Sequence, residues 1–414
     1  MNEVNTTTIL EAYSRVKDTI VKTPLILSER LSQKYSCEIY IKREDLQYTR
    51  SYKLRGAYNL ISSLTDEQRQ RGVVCASAGN HAQGFAFSCQ KLHIKGQVFM
   101  PDITPRQKIN SVKKFGGEWI TINLIGSNFD EANAKAQEYC QKNDNVFVHP
   151  FDDARTISGQ GTVGIEIMDE LPDTDIIVAP IGGGGLLSGI STYVSCYKKN
   201  IQFIGVEPLG APKMSAAIKN KGPVTLQTID SFVDGAAVKR AGNLTYQIIS
   251  ENVSDILIAP EGKICTTMIE LYQNEGIICE PAGALSLSIL DTISQQIKGK
   301  KVVCILSGGN NDISRYPEII EKSIIYEGLK HYFIIEFAQN PGQLRKFVDL
   351  ALGPHDDITL FEYVKKTNKN RGPALVGIEL GQKEDYELLL NRMKEAEISF
   401  REITNDPLLY TFLI

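Results

Sequence analysis

The sequence predicts a doubly wound α/β protein that ends in a small α+β module of ferredoxin-like order. Three observations predict it. Short β-branched runs alternate with longer amphipathic or alanine-rich stretches through the first 320 residues or so. Several of the short runs are apolar throughout, as buried parallel strands are. After about Ile325 the rhythm changes to one compatible with β-α-β-β-α-β.

The alternating part supplies candidate strands at Glu38–Lys42, Gly72–Ala76, Gln97–Met100, Trp119–Ile122, Asp175–Ala179, Gln202–Val206 and Lys301–Leu306. Helical patterns lie between them, among them Ser51–Ser63, Asn80–Lys91, Thr104–Phe115 and Asn128–Lys142. Strands that alternate with helices pair in parallel, and the helices cover both faces of the sheet. Ile176-Ile177-Val178-Ala179 is the clearest buried run. In the tail, strands are expected at His331–Phe337, Ile358–Lys365 and Ala374–Leu380, with a weaker one near Ser399–Thr404, and helices at Pro341–Leu352 and Lys383–Ala396. These place a boundary near 320–330, drawn as residues 1–325 and 326–414.

Length and composition agree with such a molecule. The 414 residues suffice for two or three domains, and 42% apolar with 23% charged residues is an ordinary globular balance. Forty-five basic residues against 49 acidic ones leave a net charge of −4, which gives no electrostatic reason to expect nucleic acid or an anionic membrane as partner. Basic pairs such as Lys113-Lys114 and Lys365-Lys366 are too short to change that. Met1 to Thr8 is polar, unlike a secretory signal, and no apolar stretch reaches the ~18–20 residues of a membrane helix. The eight cysteines are scattered, form no C-x-x-C pair and sit largely in apolar settings. They read as core residues of a reduced, cytoplasmic protein rather than a disulfide or zinc framework.

Four segments carry the chemistry. Ser51-Tyr52-Lys53-Leu54-Arg55-Gly56-Ala57 holds a lysine that, taken alone, is best read as a surface charge at a helix start. Ser77-Ala78-Gly79-Asn80-His81-Ala82-Gln83-Gly84 leads from an apolar strand into a helix, whose unpaired N–H groups attract anions such as a carboxylate. A cap on Ser77 or Asn80 would explain one polar residue there, though not the glycine and the His-x-Gln pair.

Gly182-Gly183-Gly184-Gly185-Leu186 follows a strand and opens a small-residue helix. Four glycines cost backbone entropy that a plain connector need not spend, and they let successive N–H groups close around a phosphate. A flexible hinge is the simpler alternative. The run lacks both the Lys-Ser/Thr of a P-loop and the G-x-G-x-x-G of a dinucleotide fold, so a mononucleotide-sized or phosphate-bearing cofactor fits better. Ser307-Gly308-Gly309-Asn310 leaves a strand at its carboxyl end, where doubly wound sheets bind ligands; by itself it also reads as a tight turn.

Together, Ser-x-Lys-x-Arg-Gly-Ala, Ser-Ala-Gly-Asn-His, Gly-Gly-Gly-Gly-Leu and Ser-Gly-Gly-Asn closely resemble the serine/threonine dehydratases of the tryptophan-synthase-β-like fold (fold type II), over roughly residues 5–320 and in the family's order. The tail resembles the single ACT-like regulatory domain of biosynthetic threonine dehydratases, which begin isoleucine synthesis. The resemblance implies two doubly wound lobes, the smaller (about 50–150) inserted in the larger. It implies that Lys53 holds pyridoxal 5'-phosphate as a Schiff base and that Asn80 bonds the cofactor's ring hydroxyl. It also implies that Gly182, Gly183, Gly184, Gly185 and Leu186 hold the phosphate and that Ser307 faces the pyridine nitrogen. Ser77, Ala78, Gly79, Asn80 and His81 would receive the substrate carboxylate. The implied activity is L-threonine ammonia-lyase, giving 2-oxobutanoate and ammonia, with L-serine as a secondary substrate. Isoleucine would be the allosteric inhibitor with valine its antagonist, and the chain would form a tetramer or dimer.

Two positions depart from relatives. Serine racemases carry a serine where Ala78 stands, which argues against racemisation. Relatives that bind a divalent cation use a glutamate, a carbonyl and a second acid; Glu207 and Ala211 match, but the last position is Lys213, so no metal is expected. A cysteine-synthase-like replacement enzyme and a non-catalytic amino-acid sensor are the competing readings. The lysine motif and the tail oppose the first, and the intact lysine with its glycine run opposes the second.

Overall fold

The computed structural model describes residues 3–363 and 370–406. The chain divides into two compact units, Met1–Asn311 and Asp312–Ile414. The division falls earlier than residue 325 because the Tyr316–Tyr326 helix goes with the second unit. Its Glu321 carboxylate accepts from Lys330 Nζ at 2.6 Å and from the Tyr332 hydroxyl, which ties the helix to that unit's first strand.

The first unit holds two sheets. The larger is ordered Leu25–Leu27, Glu38–Arg43, Lys301–Leu306, Ile176–Pro180, Gln202–Pro208, Asp255–Ala259. All its pairings are parallel except that of the Leu25–Leu27 edge. Ile176–Pro180, central in this order, is buried at every position, as its unbroken apolar sequence requires. The smaller sheet, all parallel, is ordered Ile120–Leu124, Gly96–Met100, Val73–Ala76, Val146–Phe147. Its strands fall in sequence between the second and third strands of the larger sheet. Six of the eight cysteines (75, 89, 140, 265, 279 and 304) are buried, and none is disulfide-bonded.

The Lys53–Ser62 helix lies between the Asn80–Leu92 and Ala154–Glu170 helices, and glycines set the spacing. A Cβ at Gly84 would stand 2.9 Å from Leu54 Cα, one at Gly56 2.8 Å from the Thr156 carbonyl, and one at Gly159 2.5 Å from the Arg55 carbonyl. Any side chain at these positions would push the helices apart.

A buried ion network anchors the same helix. The Arg55 guanidinium is bidentate to Glu44 (2.8 and 2.8 Å) and bonds both oxygens of Glu166 (2.7 and 2.9 Å). Lys42 Nζ completes it at 2.8 Å from Glu166, and all four side chains are at most 1% exposed. Two cations and two carboxylates cancel, and the bidentate geometry offsets the cost of drying them. Removing one member leaves a buried charge unpaired.

The second unit is a four-stranded antiparallel sheet, ordered Asp357–Tyr363, Arg371–Glu379, Lys330–Ala338, Ser399–Glu402. In the unit's own numbering this is second, third, first, fourth, the ferredoxin-like arrangement. The helices Gln343–Ala351 and Asp385–Glu395 bury Phe347, Leu389 and Met393 against Phe333, Ile335, Val376 and Ile378. The expected end of the second strand, residues 364–365, and the Lys365-Lys366 pair lie outside the described residues. No helix among the described residues is long and apolar enough to cross a membrane.

Glu166→Ala should lower unfolding free energy by about 3–5 kcal/mol in denaturant titrations, because Arg55 and Lys42 lose a shared buried partner. A loss below about 1 kcal/mol, the range of exposed pairs, would contradict the anchoring role.

Candidate active site

The carboxyl ends of neighbouring parallel strands bring the predicted residues together. Lys301–Leu306 pairs with Ile176–Pro180, so Ser307 and the glycine run leave the sheet side by side. A bridge between Ser51 and Gly308, with Tyr52 N donating to Ser307 O at 3.2 Å, holds the start of the lysine helix against the Ser307 turn.

Lys53 is 8% exposed. Its Nζ donates to the Pro150 carbonyl at 3.4 Å and lies 5.1 Å from the Tyr52 ring centroid. Burial pulls its pKa from 10.5 down to about 8, and the Glu280 carboxylate acts in the opposite sense. The amine therefore has a larger neutral fraction near pH 8 than an exposed lysine, which suits a lysine that must react in its neutral form.

Asn80 sits at the start of its helix, where Nδ2 donates to Glu280 Oε1 at 2.6 Å and Oδ1 accepts from Asn310 Nδ2 at 2.8 Å. Asn310 also donates to the Thr49 carbonyl at 2.8 Å. The cap of the helix is Gly79, with no side-chain bond, so neither Ser77 nor Asn80 caps it. Ser77 Oγ instead accepts from Gly79 N at 3.2 Å. Ala78 packs against the core of the smaller sheet. His81 turns inward, its Nε2–H directed at the Val148 carbonyl at 2.8 Å. Burial, and after it the Lys53 charge, hold its pKa down to about 3, so the ring is neutral. With the His81 ring neutral, an anion in this loop would be met by backbone N–H groups and by the Ser77 hydroxyl, whose proton is not committed to a partner among the described residues.

The glycine run is shaped by what surrounds it. A Cβ at Gly183 would fall 2.1 Å from the Phe151 ring, and one at Gly185 2.4 Å from Gln160 Oε1. Gly184 has φ +99° and caps the Gly185–Tyr197 helix. Thr245 Oγ1 donates to the Gly183 carbonyl at 2.6 Å. The Asp152 carboxylate holds the start of the Thr245 helix through the N–H groups of Asn243, Leu244 and Thr245. Gly182 has the most room, with the Gly235 carbonyl 3.3 Å from where a Cβ would stand. Leu186 buries its side chain in the main core, leaving its N–H in the first turn as its contribution. Ser307 is buried, its hydroxyl donating to the Ala282 carbonyl at 3.2 Å.

Glu280 was not foreseen. It precedes Pro281 in a pattern that reads as a helix cap, yet it makes no cap bond and faces Asn80 instead. Burial, and then the Asp234 carboxylate, push its pKa up to about 7. A Cβ at Gly308 would meet its Oε1 at 2.3 Å, which accounts for the first glycine after Ser307. Gln160 was missed too; its Nε2 donates to the same Pro150 carbonyl as Lys53, at 3.2 Å. Nothing in the periodicity of its buried helix sets it apart.

A reactive lysine, a glycine cup at a helix start and a hydroxyl at a strand end are the parts of a pyridoxal-phosphate site. The chain matches the family of pyridoxal-phosphate-dependent enzymes over residues 16–308 and the C-terminal regulatory domain of threonine dehydratase over residues 321–413. It is 52% identical to the biosynthetic L-threonine dehydratase IlvA of Bacillus subtilis, covering 98% of this chain and 96% of that one. Identity to the protein of that name from Halalkalibacterium halodurans is 49%, over the whole of both chains. Among solved structures, the processed form of threonine deaminase isoform 2 from Solanum lycopersicum aligns with TM-score 0.73 and 36% identity, over 77% of this chain and 92% of that one. Maize serine racemase aligns with TM-score 0.72 and 28% identity, over 78% and 99%. The chain belongs to the biosynthetic threonine dehydratase family of pyridoxal-phosphate-dependent enzymes.

The residues fit that cofactor. Two buried polar atoms without a partner among the described residues belong to this site: Gln160 Oε1, which lies 2.4 Å from where a Cβ at Gly185 would stand, and Nδ1 of His81, whose ring feels the Lys53 charge. A bound polar molecule would satisfy atoms that are otherwise costly to bury. Phe151 and Gln160 occupy the space that side chains at Gly183 and Gly185 would need, so the run keeps its backbone N–H groups bare.

Two outcomes follow. Gly183→Ala should cost about 1–3 kcal/mol of stability by overpacking against Phe151 and should weaken cofactor binding, as read by absorbance titration. Unchanged binding would contradict the cup. The rate at which apoenzyme takes up the aldehyde should rise as pH passes upward through about 8, where Lys53 loses its proton. A rate flat from pH 6 to pH 9 would contradict the buried amine.

Proposed function

We propose that this chain converts L-threonine to 2-oxobutanoate and ammonia, with Lys53 as the residue that carries the cofactor and moves the substrate proton. The observation that carries the reading is a dry amine of lowered pKa held beside a glycine cup. Pyridoxal phosphate, when bound, supplies an aldehyde for amines and an electron sink for the Cα electron pair. The remaining work belongs to the protein.

Gly182 to Gly185 and Leu186 would hold the phosphate through backbone N–H groups, with the Gly185–Tyr197 helix start behind them. The loop Ser77 to His81 would take the substrate carboxylate on the N–H groups of the helix start after Gly79, whose own N–H bonds Ser77 Oγ. With the carboxylate fixed there, the Cα proton can be directed at Lys53 Nζ. Once free, that amine takes the proton as a base; its lowered pKa leaves a useful neutral fraction near neutral pH.

Asn80, buttressed by Glu280 and Asn310, would bond the cofactor's ring hydroxyl. Ser307 offers the pyridine nitrogen a neutral hydroxyl with a rotatable proton, and no carboxylate. A neutral partner does not favour ring protonation, which weakens the sink and suits elimination over transamination. Ala78 leaves the opposite face of Cα without a hydroxyl there, which opposes racemisation. L-serine is proposed as a secondary substrate.

The second unit matches a regulatory domain, so an effector site there is expected. We assign isoleucine as inhibitor and valine as its antagonist, and we propose a cytoplasmic dimer or tetramer that works at the head of isoleucine synthesis.

Lys53→Ala should abolish the absorbance band of lysine-bound cofactor and lower 2-oxobutanoate formation by at least about 10²–10⁴-fold, the contribution of a positioned base. A persisting band would overturn the assignment. Ser307→Asp should depress elimination, and undiminished turnover would count against the neutral-partner argument. Threonine kinetics indifferent to isoleucine would remove the proposed effector.

A further inference from the structure

Lys213 is among the largest fully buried side chains of the protein, with 0% exposure. Its Nζ donates to the Ile181 carbonyl at 2.6 Å and to the Ala236 carbonyl at 3.0 Å, and it lies 3.2 Å from Glu207 Oε1. An ammonium has three N–H donors and no lone pair, so three oxygens complete its shell. A neutral amine would turn a lone pair toward an oxygen. The site is therefore a dry oxygen cage filled by one positive nitrogen.

Where those oxygens come from gives the cage its meaning. Ile181 is the residue just before the glycine cup. Ala236 follows Gly235, whose carbonyl borders Gly182. Glu207 lies on the strand beside Ile176–Pro180, and its carboxylate also accepts from Met214 N and from Ser215 N and Oγ, each at 2.8 Å. The Met214 methyl in turn lies 2.9 Å from where a Cβ at Gly184 would stand. The ammonium thus joins the residue before the cup and the segment bordering Gly182 to the strand beside them.

We infer that Lys213 is a tethered cation: its ammonium occupies an oxygen cage beside the tetraglycine cup, does the work a free cation would otherwise do there, and holds the cup in its phosphate-binding shape. Lys213 touches neither substrate nor cofactor in this account and is a positioning residue. The inference rests on the cofactor phosphate binding in the cup.

The test is the affinity of apoenzyme for pyridoxal phosphate, read by absorbance titration, in tetramethylammonium chloride and again with added K⁺, NH₄⁺ or Mg²⁺. Wild-type affinity should be the same in all four media, because the cage is already filled. Lys213→Ala empties the cage; its affinity should fall about 10–100-fold, the usual cost of losing a supporting partner, and should return with NH₄⁺ or K⁺. Lys213→Met fills the cage with a neutral chain of similar length, so its affinity should fall and no cation should restore it. Wild-type affinity that rises with an added cation would overturn the inference, and this arm needs no variant to fold. So would a folded Lys213→Met that binds as tightly as wild type, or a folded Lys213→Ala that no cation restores. Failure of the wild type to bind pyridoxal phosphate in any medium would instead remove the functional reading beneath it.

Discussion

Taking one lysine amine out of water, beside a cup of backbone N–H groups, is the constraint from which the rest of the first unit follows. A buried ammonium without a full set of partners is unstable, so the amine gives up its proton near pH 8 instead of near 10.5. That shift suits a lysine to the nucleophile and base roles proposed for it. It persists only while the walls around Lys53 stay packed and dry.

Three kinds of contact keep them so. Glycines at 56, 84 and 159 let the lysine helix approach its neighbours at backbone distance. The Arg55 network ties the same helix to Glu44 and Glu166, with charges cancelling inside the core. The Ser51–Gly308 bridge ties its first residues to the turn carrying Ser307. The motif around Lys53 is thus largely a set of packing instructions: Ser51 for the hydroxyl that accepts from Lys53 N, Arg55 for the ion network, Gly56 for the close approach. The glycine cup is specified in the same way, by Phe151 and Gln160 pressing where side chains would otherwise be.

Much of this was legible in the amino-acid order. Central strands such as Ile176–Pro180 and Lys301–Leu306 announce themselves because burial on both faces demands apolar residues throughout. The strands left unassigned were Leu25–Leu27, Val146–Phe147 and Asp255–Ala259, each at a sheet edge. Two are very short and the third is only partly buried, so none carries that continuous signal. The sequence leaves the side of the Tyr316–Tyr326 helix open, because an amphipathic helix looks the same whichever unit receives its apolar face. At the site, Lys53, the glycine run and the strand-end serine were visible as motifs. Glu280 was not, because Glu-Pro at a helix start has an ordinary explanation as a cap. Only the fold, which turns its carboxylate to Asn80, shows that the ordinary explanation fails.

The central claim is that one particular amine bonds the cofactor, and chemical trapping tests it most directly. Protein incubated with pyridoxal phosphate is reduced with borohydride, digested, and mapped by mass spectrometry for the pyridoxyl group. The account predicts the label on the peptide containing Lys53. A label on another lysine, Lys213 included, or a stoichiometric label spread over surface lysines, would contradict it.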